Sequence, residues 1–427
     1  MVNRRVELVA LSLFVLLYTG LLPVYSRNPF SCVLPETSIV SLSGTVVSSP
    51  VKTSSGESYS VQLDACEAES VNAHAASSGR VVLYFPVSTI EALYPGKLFS
   101  SSGDAAALVE DGARISVKVS YKGISDGDSL SVLSGRMEKP AFYVKELSKC
   151  IWPGESFAQT LMFFRSFLRL QLKRLLFAWG AAGGLLLALV CGSKEYTDPS
   201  VSGAFRNAGL SHILALSGMH LSIFAGLSKR TAGKLAGNRF SPFLSLAAAF
   251  LFVWFAGISP SLLRALICMC IGFFCSVFGF RTTPLKTLCL AFIMHCVISP
   301  EDAGTMAFML SYLALLGVYA GNFFVKNALC KFLPPQVSSV FSASVGAQVM
   351  TLPLTVAMSG TVIPVAVIAS SVVSPVASLF VSGGIIAVLL VLLMPFLLKP
   401  VGCIISVFYN GISCIVRFFA GFPCIRI

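Results

Sequence analysis

The sequence predicts a polytopic α-helical membrane protein with a small exported all-β N-terminal domain. Of its 427 residues, 55% are hydrophobic and only 12% are charged, whereas soluble proteins carry about 25% charged residues. Apolar runs recur through the second half at close to the roughly 20 residues that a helix needs to cross a bilayer. The segment before them has the shorter apolar period of β-strands. The composition excludes both an ordinary soluble protein and a disordered one.

The basic excess lies almost entirely in the apolar half. Residues 1–174 contain 17 Lys and Arg against 15 Asp and Glu, whereas residues 175–427 contain 14 against only four. This excess has two interpretations: topology signals in cytoplasmic loops, or an electropositive route for an anion. We assign most of it to topology signals.

Residues 1–26 are predicted to be an N-terminal membrane anchor or a signal peptide. Arg4 and Arg5 precede an apolar run from Val6 to Val24, and cleavage near Val24-Tyr25-Ser26 remains open. In either case the two arginines stay cytoplasmic and the following segment is exported.

Residues 27–155 are predicted to form the exported β-rich domain. Strands are expected at 38–47, 59–63, 80–85, 113–119 and 130–133, separated by turn residues. This number of strands favours a small antiparallel barrel or sandwich, and an OB-like barrel fits it. Such barrels often bind oligonucleotides or sugars, but no aromatic stacking ladder is evident in the sequence. A purely structural domain is the alternative.

Residues 156–192 are predicted to combine an amphipathic interfacial helix with a membrane segment. Arg165, Arg169 and Lys173 recur every four residues among phenylalanines. This spacing puts the cations on one face of a helix over 157–177 and turns the aromatic residues into lipid. The apolar run 175–191 follows directly. The region crosses the membrane twice, re-enters or lies flat.

Residues 193–427 are predicted to form a multi-span domain. Lys and Arg gather in alternate loops, which places residues 192–209 and the C-terminus outside. The short span 286–299 and the segment 360–375, with Pro364 and paired serines, indicate irregular backbone, which at membrane depth is tolerated where it lines a watery cavity. The expected spans are 210–228, 241–258, 262–280, 286–299, 304–322, 339–358, 376–398 and 401–421.

Polar residues within the spans give few candidates for chemistry. Ser217 and His220 would share a helix face, which suggests an intramembrane hydrolase, but no carboxylate between residues 199 and 300 could orient the imidazole. His212 would lie about 12 Å from His220 on a continuous helix, too far to share a metal ion. Arg264 has no acid nearby in sequence, and it either faces a cavity or snorkels to the interface. No catalytic, metal or cofactor site is predicted.

The run 205–221 resembles the signature of ComEC-type competence proteins. Further matches follow in that family's order at 257–265, at Pro300 with 308–311, and at 347–354. The resemblance is strong from 156 to 398 and weaker for the strand-rich domain, which is similar to the family's OB-like N-terminal domain. The candidates that it gives for a DNA path are Arg206, His212, Ser217, Gly218, His220, Arg264, Ser311, Gln348 and Pro353.

The resemblance implies a multi-pass channel of the bacterial inner membrane that passes one DNA strand into the cytoplasm during natural transformation. It implies single-stranded DNA and membrane lipids as partners and no cofactor. A separate nuclease, a DNA receptor, a cytoplasmic ATP-driven motor and a second copy of the chain are possible further components.

Departures from the family pattern keep other interpretations open. Many members carry a metallo-β-lactamase-like nuclease domain, but the His and Asp clusters it needs do not occur here, so no enzymatic activity is expected. Met309 stands where the family has glutamine, and the family's asparagine is not evident in 364–375, which leaves a degenerate member possible. The alternatives are a transporter or flippase for another anionic polymer or lipid, and then the Ser/His hydrolase.

Overall fold

A computed structural model describes residues 5–18, 30–53, 56–91, 109–126, 138–152, 156–193, 197–235, 237, 240–326, 330–332 and 334–426. The chain forms two compact units. The barrel unit comprises Tyr25–Gly183 and Ser193–Tyr196, and the helical unit comprises Met1–Val24, Gly184–Gly192 and Thr197–Ile427. The predicted strand at 130–133 and the cleavage site at 24–26 lie outside the described residues.

The described elements follow the chain from an N-terminal helix through a strand-rich part into a helical part. The helices are α1 (Arg5–Tyr18), α2 (Val87–Glu91), α3 (Phe157–Phe177), α4 (Gly180–Cys191), α5 (Pro199–Asn207), α6 (Ser211–Leu214), α7 (Gly218–Leu235), α8 (Ser241–Ala256), α9 (Pro260–Val277), α10 (Pro284–Ile298), α11 (Met306–Phe324), α12 (Pro335–Ser359), α13 (Ala366–Leu393) and α14 (Leu398–Ala420). Short 3-10 helices span Glu36–Ser38, Pro300–Gly304 and Pro395–Leu397. The strands are β1 (Ser31–Cys32), β2 (Ile39–Val46), β3 (Val51–Lys52), β4 (Ser58–Ser70), β5 (His74–Ser78), β6 (Arg80–Pro86), β7 (Arg114–Asp126), β8 (Glu138–Ile151), β9 (Thr361–Val362) and β10 (Ile425–Arg426).

Five long strands close into a barrel. β2 pairs with β4, β4 with β6, β6 with β8, β8 with β7, and β7 again with β2. The all-β prediction is confirmed, and a closed five-stranded barrel fits its OB-like form. The sheet is mixed rather than purely antiparallel, because β6 and β8 run parallel. The fifth strand is β8, a segment in which the sequence analysis predicts no strand.

Every second side chain along the strands points into the barrel and fills it. On β4, the side chains of Tyr59, Val61 and Leu63 are fully buried, while the residues between them are only partly buried. The helix α3 contributes Leu170 to the same core. It begins with a capping box in which Ser156 and Gln159 satisfy each other's backbone N–H groups. The predicted amphipathic helix is thus real, and it belongs to the barrel unit.

The helical unit contains five helices that are long and apolar enough to cross a membrane, counted over the described residues: Pro260–Val277, Met306–Phe324, Pro335–Ala357, Ala366–Leu393 and Pro395–Ala420. The prediction of a multi-pass membrane protein is confirmed. The predicted spans 241–258 and 286–299 are apolar helices of 16 and 15 residues. α1 is also short and apolar, and it packs on α10 through Phe14 and Phe292.

Two segments of the helical unit differ from the prediction. The expected span 210–228 is interrupted, because α6 ends at Leu214 and α7 begins only at Gly218. The Ser261 hydroxyl donates to the backbone oxygen of Leu216, which the break has left without a helical partner. The segment 360–375 is irregular only to Val365, because α13 continues through Pro375, as neighbouring helices allow within a membrane domain.

Glycines bring α11 and α12 into close contact. A methyl group on Gly346 would overlap the carbonyl oxygen of Gly317, and one on Gly321 would overlap that of Ser342. The order of these contacts shows that the two helices run antiparallel. Small residues of this kind let helix backbones approach closely in membrane proteins. The contact holds Ser311 on α11 near the level of Pro353 on α12.

Candidate functional site

The candidate site in the helical unit is built around Arg264, in the second turn of α9. Its Nη1 donates to the backbone oxygen of Ser311, and its guanidinium carbon lies 5.9 Å from the centre of the Tyr312 ring. Within the described part of the chain, no carboxylate pairs with it and its Nε atom has no hydrogen-bond partner. Arg264 is therefore a partly buried cation whose neighbours are a carbonyl and an aromatic face.

The break before α7 makes room for this arginine. A Cβ atom on Gly218 would lie 3.3 Å from Nη2 of Arg264 and 3.0 Å from the Cβ of Ala265. Contacts that tight leave little space for any side chain at this position. The structure thus brings together three of the residues predicted for the DNA path, namely Gly218, Arg264 and Ser311.

The predicted pairing of Ser217 with His220 is wrong in its geometry. Ser217 precedes α7, so the two residues do not share a face of one continuous helix. The buried His220 ring instead accepts the backbone N–H of Ser217 at Nδ1, over 3.2 Å. A nitrogen occupied in this way cannot take a proton from the Ser217 hydroxyl. The contact caps the start of α7 and gives the hydrolase interpretation no support.

Four other residues predicted for the DNA path do not join the contacts of Arg264 that the structure describes. Arg206 is exposed at the end of α5, and His212 is exposed on α6, where it hydrogen-bonds the backbone of Gly209. Gln348 and Pro353 both lie on α12. Among the described residues, no hydrogen bond or ion pair joins these four to Arg264. Whether they line one path stays a prediction.

A polar cluster that the sequence analysis did not assemble lies next to Arg264. His295, fully buried on α10, contacts Asp302 through Nε2 at 3.1 Å and the Tyr312 hydroxyl through Nδ1 at 3.2 Å. The sequence signal that could have indicated this cluster is Asp302, an acid seven residues after His295 across a short loop. In the described part of the chain, no group of three His, Cys, Asp or Glu side chains could hold a metal ion.

The cations of α3 were predicted to form the polar face of an interfacial helix. In the structure they do not form an exposed face. They share a face, but that face is buried in the barrel unit. Arg165 pairs with Asp111 at 3.0 Å and Lys173 with Glu110 at 3.0 Å. Arg169 donates to the Ser49 hydroxyl at 2.9 Å. Buried cations need such partners, and the carboxylates come from a segment far away in sequence.

The two carboxylates of this cluster respond differently to their surroundings. Burial raises the pKa of Glu110, but Arg169, Lys173 and a hydrogen bond from Ser49 outweigh burial and lower that pKa to about 2. Burial raises the pKa of Asp111 above its usual range, because Arg165 offsets the burial only in part and Glu110 repels the charge. Glu110 is therefore the carboxylate that the cluster holds ionised.

The barrel carries an exposed patch of aromatic rings and a cation. The Nζ atom of Lys122 lies 3.6 Å from the centre of the Tyr84 ring and 4.8 Å from that of Tyr143. The two rings are 5.8 Å apart, and Tyr143 is 47% exposed. Tyr84 and Tyr143 face each other because β6 and β8 pair in parallel, which the sequence analysis could not see. We call this surface the tyrosine patch.

Comparisons with known proteins give one family and one relative. The family model described as "Competence protein" matches residues 189–427, which is more than half of the chain. The relative is ComE operon protein 3 of Bacillus subtilis (strain 168), which is 28% identical over 130 residues. That match covers 30% of this chain and 17% of the relative. No solved structure matches.

Proposed function

Because the chain belongs to the competence protein family, we propose that it forms a channel of the bacterial inner membrane that carries single-stranded DNA into the cytoplasm during natural transformation. The long apolar helices provide the membrane domain such a channel needs. The proposed orientation keeps the barrel unit on the exported side.

The observation that carries this proposal is Arg264. A guanidinium within a membrane domain is costly unless it faces a partner or a water-filled cavity. Here its contacts are a backbone oxygen and an aromatic ring, neither of which cancels its charge. A phosphate group is the anion that guanidinium binds best, through paired hydrogen bonds. The Nε atom is buried and makes no hydrogen bond, so it is an unused donor for a phosphate that reaches it.

The tyrosine patch supports the same function from the barrel unit. Proteins that bind single strands combine aromatic rings, on which bases stack, with cations that contact the backbone. Tyr84, Tyr143 and Lys122 supply both on one exposed surface. Stacking does not depend on base identity, which suits a protein that must pass any sequence.

The proposal leaves some components to other proteins. We propose that a separate nuclease produces the single strand, that a DNA receptor delivers it and that a cytoplasmic motor pulls it. This chain would then act as a channel and not as an enzyme. A second copy of the chain would complete the channel if one copy proves too small to enclose a strand.

The test is binding by the full chain purified in detergent. Affinity for a single strand and for a duplex is measured over a salt series, for the wild type and for Arg264→Leu. We expect a preference for the single strand, and a salt slope that becomes shallower by about 1 in the variant, since one phosphate contact is lost. Arg281→Leu, at an exposed position, is the control for a change of net charge.

Other outcomes would identify other functions. Equal and weak binding of any polyanion, unchanged in Arg264→Leu, would overturn the DNA channel and favour a transporter for another anionic polymer or lipid. Loss of single-strand preference in both Arg264→Leu and Arg281→Leu would mean that general basic charge, and not the buried site, holds the strand.

A further inference from the structure

Both ring nitrogens of His295 are engaged. Nε2 lies 3.1 Å from Oδ2 of Asp302, and Nδ1 lies 3.2 Å from the hydroxyl of Tyr312. That hydroxyl also donates to the backbone oxygen of Ala291 over 3.1 Å. These residues join α10, the loop after it and α11 through side chains that are almost completely buried, apart from the partly exposed Asp302.

The hydrogen bonds constrain the protons of this cluster. A carboxylate can only accept, so Nε2 of His295 donates to Asp302. Nδ1 then bonds the Tyr312 hydroxyl, as an acceptor in the neutral ring or as a donor in the imidazolium. In either form the ring is tied to Asp302 on one side and to Tyr312 on the other.

The ring of Tyr312 transmits this arrangement to Arg264. Phe292 packs edge-on against the ring, with centroids 5.2 Å apart, and Phe308 lies at 4.7 Å. The guanidinium of Arg264 lies 5.9 Å from the ring centre. It also donates to the backbone oxygen of Ser311, the residue before Tyr312. Both contacts of Arg264 therefore depend on where Tyr312 is held.

We infer that Asp302, His295 and Tyr312 form a positioning relay that holds the guanidinium of Arg264 in place for a phosphate group. Asp302 fixes the imidazole ring, the ring fixes the tyrosine hydroxyl, and the tyrosine ring supports the cation. None of the three touches the phosphate. The inference rests on the proposed function for its ligand, but the position of Arg264 can be tested without DNA.

The first experiment measures how accessible Arg264 is in the full chain in detergent. Phenylglyoxal modifies arginine, and mass spectrometry of peptides gives the rate at Arg264 relative to the exposed Arg230. We expect slow modification in the wild type and a rate about tenfold higher in Tyr312→Phe, because leaving buried polar groups without their hydrogen bond costs about 1.4 kcal/mol. Asp302→Asn should also raise the rate of modification at Arg264. Tyr319→Phe, a control on the same helix, should leave the rate unchanged.

The second experiment separates positioning from general stability. Single-strand affinity is compared in a double-mutant cycle of Asp302→Asn with Arg264→Leu. We expect Asp302→Asn to weaken binding in the wild type and to have no further effect once Arg264 is absent. An equal loss in both backgrounds would overturn the relay, since it would show a purely structural role.

The two experiments keep the inference and the proposed function apart. Unchanged modification of Arg264 in Tyr312→Phe and Asp302→Asn would overturn the relay whether or not the protein binds DNA. Faster modification in a protein that shows no single-strand binding would support the relay and reject DNA as its ligand. Tyr312→Phe is the decisive variant because it keeps the ring and its volume, so the fold is retained.

Discussion

Replacing Glu110 with glutamine should destabilise the barrel unit by about 3 to 5 kcal/mol, the usual cost of removing one partner from a buried ion pair. Glu110 is 1% exposed, with Oε1 3.0 Å from Nζ of Lys173 and Oε2 3.9 Å from Nη1 of Arg169. Glutamine keeps the shape but not the charge. The change would remove the carboxylate that Arg169 and Lys173 share.

The ionisation of Glu110 also makes the stability of the wild type depend on pH. Its pKa is lowered to about 2 from the ordinary value of 4.5, because the two cations and Ser49 outweigh the effect of burial. Since the folded pKa lies below the unfolded one, the stabilisation is complete above pH 4.5 and is lost as the pH falls towards 2. The shift is worth about 3 kcal/mol. Asp111 acts in the opposite direction, since its pKa is raised, and it reduces the net loss.

The assay is urea unfolding of the full chain in detergent, because urea leaves the ionic strength unchanged. Trp152 packs edge-on against Phe163 of α3 at 5.5 Å, so its fluorescence reports whether α3 stays on the barrel. Trp179→Phe and Trp254→Phe leave Trp152 as the only tryptophan. Unfolding midpoints are measured from neutral pH down to the acid range, for the wild type and for Glu110→Gln.

The matched control is Glu146→Gln. Glu146 pairs with Lys118 at 2.7 Å on the barrel surface, where the side chains are 61% and 57% exposed. An exposed pair contributes roughly 0 to 1 kcal/mol, so this change should be almost silent. If Glu110→Gln costs no more than Glu146→Gln, or if it keeps the acid dependence of the wild type, the ion pairs do not hold α3 to the barrel and the reasoning is refuted.

Three further changes test other parts of the structure. Gly346→Ala should lower the melting temperature in detergent because the added methyl forces α11 and α12 apart, whereas Gly383→Ala, which faces open space, should be neutral or stabilising. Tyr143→Ala should weaken single-strand binding in a titration by about 1 to 3 kcal/mol, and Tyr143→Phe should retain it, since stacking needs only the ring. Gly218→Val should make the salt dependence of single-strand binding shallower, as Arg264→Leu does, because the valine would displace the guanidinium. Gly226→Val on the same helix should leave it unchanged.

Much of the fold could be predicted because hydropathy and the spacing of apolar residues depend only on residues close together in sequence. The helices from 241 onward begin and end within a few residues of the expected spans, apart from α13, which starts ten residues earlier. That error came from extending the irregular segment as far as Pro375. Pro364 does precede the helix, whereas Pro375 lies inside it, where packing against other helices compensates for the lost hydrogen bond.

The contacts that make the sites could not be predicted in the same way. The four-residue spacing of Arg165, Arg169 and Lys173 correctly gave a shared face, but nothing in that spacing identifies Glu110 as the partner. Tyr84 and Tyr143 meet only because the barrel closes through a parallel pair. The family resemblance named Gly218, Arg264 and Ser311 as candidates from motifs far apart in sequence, and only the structure shows that they meet.

The absence of a carboxylate beside Arg264, among the described residues, fits transport better than tight binding. A paired carboxylate would cancel the charge and compete with each phosphate that arrives. A permanent phosphate site with several cations would hold the strand and stop it. Conduction needs a site attractive enough to enter and weak enough to leave. Under the proposed function, one guanidinium held by a carbonyl and an aromatic ring would meet that condition, because it would attract each phosphate in turn and lose little when the next replaced it.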